Sequence, residues 1–135
     1  MLRQLSIYAE NKRGTLEKIT NILAQEGINI WGSCTNDSAE YGINRMVVSE
    51  PDRAKAVLEE AGYLCKLSYV IGVEVADEVG NLHKLLKAVS DSNININYIY
   101  LSFNRDTGKP VMVFHTEDAY EVESCIEGKG FTVVD

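Results

Sequence analysis

The chain has 135 residues, 45% of them apolar and 24% charged, with a formal net charge of −7. This is the composition of an ordinary soluble globular protein of one domain or two small ones, and no apolar run approaches the ~18 residues of a membrane span. The acid excess argues against nucleic acid, which demands a basic footprint, and against an anionic membrane surface.

Taken in order, Gln4 to Ala9 alternates, with Leu5, Ile7 and Ala9 on one face and Gln4, Ser6 and Tyr8 on the other, the pattern of a half-buried strand. No secretory apolar region precedes it, so a cytoplasmic protein is expected. Glu10 to Gly14 is a polar loop. Leu16, Ile19, Ile22 and Leu23 recur at helical spacing, and Gly27 ends that helix. Ile28 to Asn36 reads as a second strand, Asn36 to Glu40 as a hairpin turn, and Ile43 to Val48 as a dense, central third strand. Ser49-Glu50-Pro51-Asp52 opens a helix whose buried stripe is Ala54, Val57, Leu58 and Ala61. Gly62 ends it, and Tyr63 to about Ser68 is a fourth strand.

The order then repeats. A shift of 66 positions places Gly14 on Gly80, Leu16 on Leu82, Ile28-Asn29-Ile30 on Ile94-Asn95-Ile96, and Met46-Val47 on Met112-Val113. That period suits a small domain and is too long for a solenoid unit. In the second half, Tyr69 to Val75 is a strand. Leu82, Leu85, Leu86 and Val89 line a helix ending near Ser92-Asn93. Ile94 to Phe103 is a long strand, Val111 to Phe114 the next, Ala119, Val122 and Ile126 line a helix, and Phe131 to Val134 closes the sheet.

Each half therefore reads β-α-β-β-α-β. The fold class is α+β: two ferredoxin-like domains, 1–68 and 69–135, each with both helices on one face of an antiparallel sheet. The charge is unevenly shared. Residues 1–69 carry 8 basic and 9 acidic groups, and residues 70–135 carry 5 and 11.

The corner where the first strand hands over to the first helix is the candidate site in each half. The first amides of that helix have no partner within it, and with the helix dipole they attract a carboxylate. Glycine lets backbone approach a ligand closely. Asn11 in one half and Asp77 in the other are placed to take a ligand's ammonium, and Asn29 or Asn95 adds an amide at the start of the next strand. Arg13 has the fork geometry for a carboxylate. The plainer alternative is that Gly14 and Gly80 make tight turns, the asparagines satisfy local backbone, and Arg13 is a solvated loop residue.

Glu10-Asn11-Lys12-Arg13-Gly14-Thr15-Leu16, a helix, then Glu26-Gly27-Ile28-Asn29-Ile30 resembles the signature of ACT domains. So does Ala76-Asp77-Glu78-Val79-Gly80-Asn81-Leu82 followed by Asn93-Ile94-Asn95-Ile96. The resemblance covers essentially the whole chain, as a tandem pair. It implies regulatory binding of small molecules, mostly amino acids, between domains paired side by side. Carried over residue by residue, it implies ligand contacts from Asn11, Arg13, Gly14, Thr15, Leu16, Asn29 and Ile30 in the first half. In the second half they are Asp77, Val79, Gly80, Asn81, Leu82, Asn95 and Ile96. Two departures bear on this: the family's proline before the glycine is Arg13 or Val79, and its acid, kept as Asp77, is Asn11 in the first half. The two sites are therefore expected to be unequal.

Elsewhere the chemistry is sparse. Cys34, Cys65 and Cys125 are odd in number and far apart, which argues against a disulfide framework or zinc site and for buried thiols. His83 and His115 lack company for a metal site. No nucleophile-base grouping, P-loop or HExxH occurs, so no catalytic residue, metal or cofactor is expected. Trp31, Tyr98 and Tyr100 either anchor a dimer or pack on the sheet. The acidic helix face of Glu117, Asp118, Glu121 and Glu127 is either solvated or meets a basic partner. The expected function is a non-enzymatic amino-acid sensor, a homodimer read by a regulated protein partner. The alternative is a protein–protein module that regulates an enzyme or transcription with degenerate ligand sites.

Overall fold

The computed structural model describes residues 1–10, 12–37 and 42–135, and of Asp37 only the backbone. The chain forms two compact units, Arg3–Ser68 and Tyr69–Asp135, the latter joined by Met1 and Leu2. Those two residues belong there because the Met1 ammonium lies 2.9 Å from the Glu123 carboxylate and 2.6 Å from that of Asp135.

The Arg3–Ser68 unit is built from β1 (Leu2–Ala9), α1 (Thr15–Gln25), β2 (Ile30–Asp37), β3 (Gly42–Val48), α2 (Pro51–Glu60) and the start of β4 (Leu64–Glu74). β3 is central: it pairs antiparallel with β1, Leu5 opposite Met46, and with β2, Ser33 opposite Met46. β1 also pairs with β4. The helices bury Ile19, Leu23, Ala54 and Leu58 against Leu5, Ile7, Met46 and Val48. Each fully buried Leu or Ile removed from water contributes about 1.5–3 kcal/mol. Pro51 sits at the first turn of α2, where its missing N–H costs nothing.

The second unit takes the rest of β4, then α3 (Asn81–Asp91), β5 (Tyr98–Phe103), β6 (Pro110–His115), α4 (Ala119–Gly128) and β7 (Thr132–Val134). Its pairings give the order β7-β4-β6-β5, all antiparallel. Ile71, Val73, Leu85, Val89, Phe114, Val122 and Ile126 form the core.

Several expectations need correction. The predicted strands at Tyr63–Ser68 and Tyr69–Val75 are one strand, β4, because nothing between Leu64 and Val70 breaks the extended backbone. Gln4 and Ser6, placed on the polar face of β1, are buried at 0% and 6% exposure; the Gln4 amide donates to the Ser6 hydroxyl at 3.3 Å. Leu16 and Leu82, placed in the buried stripes, are each 43% exposed, since they stand at the helix starts. Ala61 is exposed too, lying just past the end of α2. Ile94 to Asn97 are not strand: Asn93 turns the chain at φ 58, and β5 begins only at Tyr98. Of the predicted hairpin turn, Asn36 to Glu40, Asn36 and Asp37 still belong to β2, paired with Ile43 and Gly42 of β3, and the rest lies outside the described residues.

Cys65 is 7% exposed, and burial, with Glu59 nearby, pushes its thiol from 9.0 up to about 11. The neutral thiol is the form the fold favours. Above pH 9 the unfolded chain ionises there before the folded one, so stability falls as pH rises from about 9 to about 11. At pH 8 a thiol reagent should modify Cys65 far more slowly in the native protein than in urea. Equal rates in both would contradict the burial.

Candidate functional site

The two corners are built alike. Gly14 (φ 85) and Gly80 (φ 89) precede α1 and α3 in the left-handed region that only glycine enters freely. The Lys12 amide donates to the Glu10 carbonyl at 2.9 Å, and the Glu78 amide to the Ala76 carbonyl at 2.9 Å. Thr15 N–H reaches Lys12 O at 3.2 Å, as Asn81 N–H reaches Glu78 O at 3.2 Å. Lys18 N–H and Lys84 N–H close the first helical bonds to Gly14 O and Gly80 O, both at 3.0 Å. A Cβ at Gly14 or Gly80 meets nothing within 4 Å, so only the backbone resists substitution. Gly14→Ala and Gly80→Ala should each cost about 1–2 kcal/mol in urea unfolding, and asparagine less. A neutral alanine would contradict the left-handed corner.

Beyond this shared frame the corners differ. In the first unit a cleft of about 670 Å³ is lined by Tyr8, Ala9, Glu10, Lys12, Thr15, Lys18, Ile43, Gly62, Tyr63 and Leu64. The Glu10 carboxylate accepts from the Lys12 ammonium at 2.5 Å and holds it above the ordinary lysine value. In the second unit a smaller cleft, about 230 Å³, is lined by Val75, Ala76, Asp77, Glu78, Leu82, Leu101, Phe103, Pro110 and Met112. The first is framed by cations and aromatics, the second by carboxylates and apolar side chains.

Of the residues singled out from sequence, Thr15 lines the first cleft and Asp77 and Leu82 line the second. Asn11 lies outside the described residues. Arg13 and Gly14 are exposed at the first corner, and Val79, Gly80 and Asn81 stand at the second. The Asn81 amide is spent on the Ala76 carbonyl at 2.9 Å. Asn29 and Ile30 are not among the residues lining the cleft; the Asn29 backbone is tied to Ser49, accepting from its N–H and donating to its hydroxyl, both at 2.9 Å. Asn95 bonds Asn97 at 3.3 Å, and neither Asn95 nor Ile96 lines the second cleft. The walls that sequence reasoning missed, Tyr8, Ile43, Tyr63 and Leu64 in one unit and Leu101, Phe103 and Met112 in the other, come from strands, or for Tyr63 from the residue just before β4, that only the fold brings to the corner.

Among the described residues no group of three or more His, Cys, Asp or Glu is placed to hold a metal ion, and no helix is long and apolar enough to cross a membrane. His115 stacks on Tyr98 with centroids 5.2 Å apart and bonds the Asn97 amide at 2.9 Å.

A family profile described as an ACT domain pair matches residues 1–134. None of the curated proteins compared with this chain matches it. Among solved structures, protein BT0572 from Bacteroides thetaiotaomicron is similar with a TM-score of 0.88 and 29% identity, over 98% of this chain and 91% of that one. The ligand-free regulatory subunit of aspartate kinase from Thermus thermophilus has a TM-score of 0.66 at 15% identity, over 93% and 91%. Its counterpart from Thermus flavus has a TM-score of 0.63 at 18% identity, over 93% and 90%. The last two share the fold. With the profile spanning all but the final residue and the corner geometry present in both halves, this chain belongs to the ACT domain pair family.

Proposed function

We propose that the chain is a non-enzymatic regulatory protein whose strand-to-helix corners bind an amino acid. The observation that carries this is the first corner: a left-handed glycine and an exposed helix start beside a cleft holding both a carboxylate, Glu10, and ammoniums, Lys12 and Lys18. A zwitterion needs both signs within one site. The same fold serves as the regulatory subunit of aspartate kinase in two Thermus proteins, so it accommodates a purely regulatory role. In this reading the two halves are ferredoxin-like domains, 1–68 and 69–135, in a cytoplasmic protein. Ligand binding biases their arrangement, and a partner protein responds. Exposed Leu82, Leu86, Leu101 and Phe103 in the second unit suit a homodimer contact.

The test is a thermal-shift screen against the twenty amino acids. A true ligand at about 100 times its dissociation constant adds about 2.7 kcal/mol, several degrees of melting temperature. A folded protein that no amino acid stabilises would sink this reading. It would leave the second one, a contact module that uses its exposed apolar surface to regulate another protein.

A further inference from the structure

The repeat supplies an internal control for one surface of the second unit. Leu101 and Phe103 stand on β5 at 50% and 54% exposure, paired with Met112 and Pro110 of β6. Leu82 of α3 lines the same cleft, and Leu86, one turn further along α3, continues the apolar stripe at the surface. At the repeat-equivalent positions of Leu101, Phe103 and Leu86 the first unit carries Thr35, Asp37 and Thr20. The Thr35 hydroxyl donates to the Asn44 amide oxygen at 2.8 Å, and the Thr20 hydroxyl to the Leu16 carbonyl at 3.0 Å. The first unit thus builds its strands and helix with polar residues at these places. The module does not need the apolar ones to fold, and an exposed apolar patch without a folding role marks a contact surface.

The charge at the rim of this patch differs between the units as well. Asp77 and Glu78 line the cleft, where the first unit has Asn11 and Lys12. Among the described residues neither the Asp77 nor the Glu78 carboxylate has a hydrogen-bond or ion-pair partner. Lys109 and Lys87 are committed elsewhere, 3.6 Å from Glu74 and 2.7 Å from Asp91. Lys84 stands on the opposite side of α3 from Leu82 and Leu86.

Apolar area alone would suit a second copy of the chain. The rim selects against one. A two-fold contact buries the same patch on both copies, which gathers four unpaired carboxylates round one apolar seam. Like charges brought together in this way oppose association. A partner that brings lysine or arginine beside its apolar side chains has the complementary charge.

We infer that this face of the second unit docks a basic amphipathic helix of another protein, its apolar stripe flanked by lysine or arginine. This rests on the reading above that a partner protein responds to the chain, and it names the surface that partner uses. Leu82, Leu86, Leu101 and Phe103 receive the apolar stripe, and Asp77 and Glu78 pair with the flanking cations. Helices dock into apolar grooves in this way through side chains three or four positions apart. The first unit, with threonines and a lysine at the matching places, offers no such surface.

Fluorescence anisotropy of the full chain with a labelled amphipathic leucine–lysine helix tests this. A leucine–glutamate peptide of the same pattern and a serine–lysine peptide are the controls. The leucine–lysine peptide should bind with a Kd of about 10 μM or below, and both controls at least about tenfold more weakly. Leu101→Thr combined with Phe103→Ser should weaken its binding about tenfold or more. Glu78→Lys, at an exposed loop position, should weaken it about threefold or more and flatten its dependence on salt. Tyr120→Ser, at an exposed position on α4, should stay within about twofold of the wild type. No binding of the leucine–lysine peptide, equal binding of the glutamate peptide, or either surface variant binding like the wild type would overturn the assignment. So would a wild-type dimer in sedimentation velocity that the Leu101→Thr, Phe103→Ser variant converts to monomer, since a second copy would then cover the face. The amino-acid reading stands or falls separately, on the thermal-shift screen.

Discussion

Phe114→Ala should lower the stability of the second unit by about 3–5 kcal/mol. Phe114 is 0% exposed on the central strand β6, opposite Ile71 of β4 and Ile99 of β5. It packs among Leu85 and Val89 of α3 and Val122 and Ile126 of α4. The first unit has Val48 at the equivalent place and fills its core with Leu5, Met46 and Leu58 instead. The second unit thus depends on one ring where the first spreads the volume over several side chains. Removing the ring leaves a cavity that the surrounding strands cannot close, because each is held in register by its neighbours. Trp31, the single tryptophan, lies in the other unit, so far-UV circular dichroism over a urea series is the suitable probe. Phe114→Leu should cost much less, because it keeps most of the volume. An alanine variant within 1 kcal/mol of the wild type, an error-sized effect for a core ring, would mean that this side chain is not at the centre of the core.

How much of this was legible in the sequence varies by element. The helices and their ends were readable because their signals are local: Pro51 opens α2, and Gly27 and Gly62 leave α1 and α2 with positive φ. The corner glycines were found because a left-handed residue before a helix has few sequence solutions and occurs twice. The buried Gln4 and Ser6 were not legible. Alternation tells which residues share a face, and it does not tell whether that face meets water. The fusion of two strands into β4 was missed for a related reason. The repeat boundary invites a break there, but no glycine or proline occurs in Leu64–Ile71 to enforce one. The site was half legible. Sequence proximity pointed to the loop, while the walls at Tyr8, Ile43 and Tyr63 are far apart in the chain and converge only once the strands pair. Ile94 to Ile96 matched the strand at Ile28 to Ile30 by repetition, and neither triplet begins a strand before its last residue. The Asn29 backbone is tied instead to Ser49, and the Asn97 N–H to the His115 carbonyl, while the Asn95 and Asn97 side chains bond each other.

Gly72→Val should destabilise the second unit by about 3 kcal/mol, and Gly72→Ala by about 1 kcal/mol. Gly72 is buried in β4, paired with Val113 of β6 on one side and Val134 of β7 on the other. Its backbone is not left-handed, so the glycine is there for space. A Cβ at this position would lie 2.6 Å from Leu2 Cδ1, 2.7 Å from Val134 Cγ2 and 3.2 Å from Val111 Cγ1. The Leu2 tip can swing aside, but the two valines are stiff at χ1 and stand on paired or adjacent strands. Alanine recovers about 0.5–1 kcal/mol of backbone entropy in the unfolded chain, which offsets part of the clash; valine adds two methyls with nowhere to go. The repeat gave no hint of this, since the equivalent residue is Ser6, which carries a side chain. If the contact with Leu2 is the softer half of the clash, Leu2→Ala should relieve part of the cost of Gly72→Ala. A double-mutant cycle would then show a favourable coupling between the two. An alanine at position 72 that raises stability, or a cycle with no coupling, would mean that the chain start does not pack over β4.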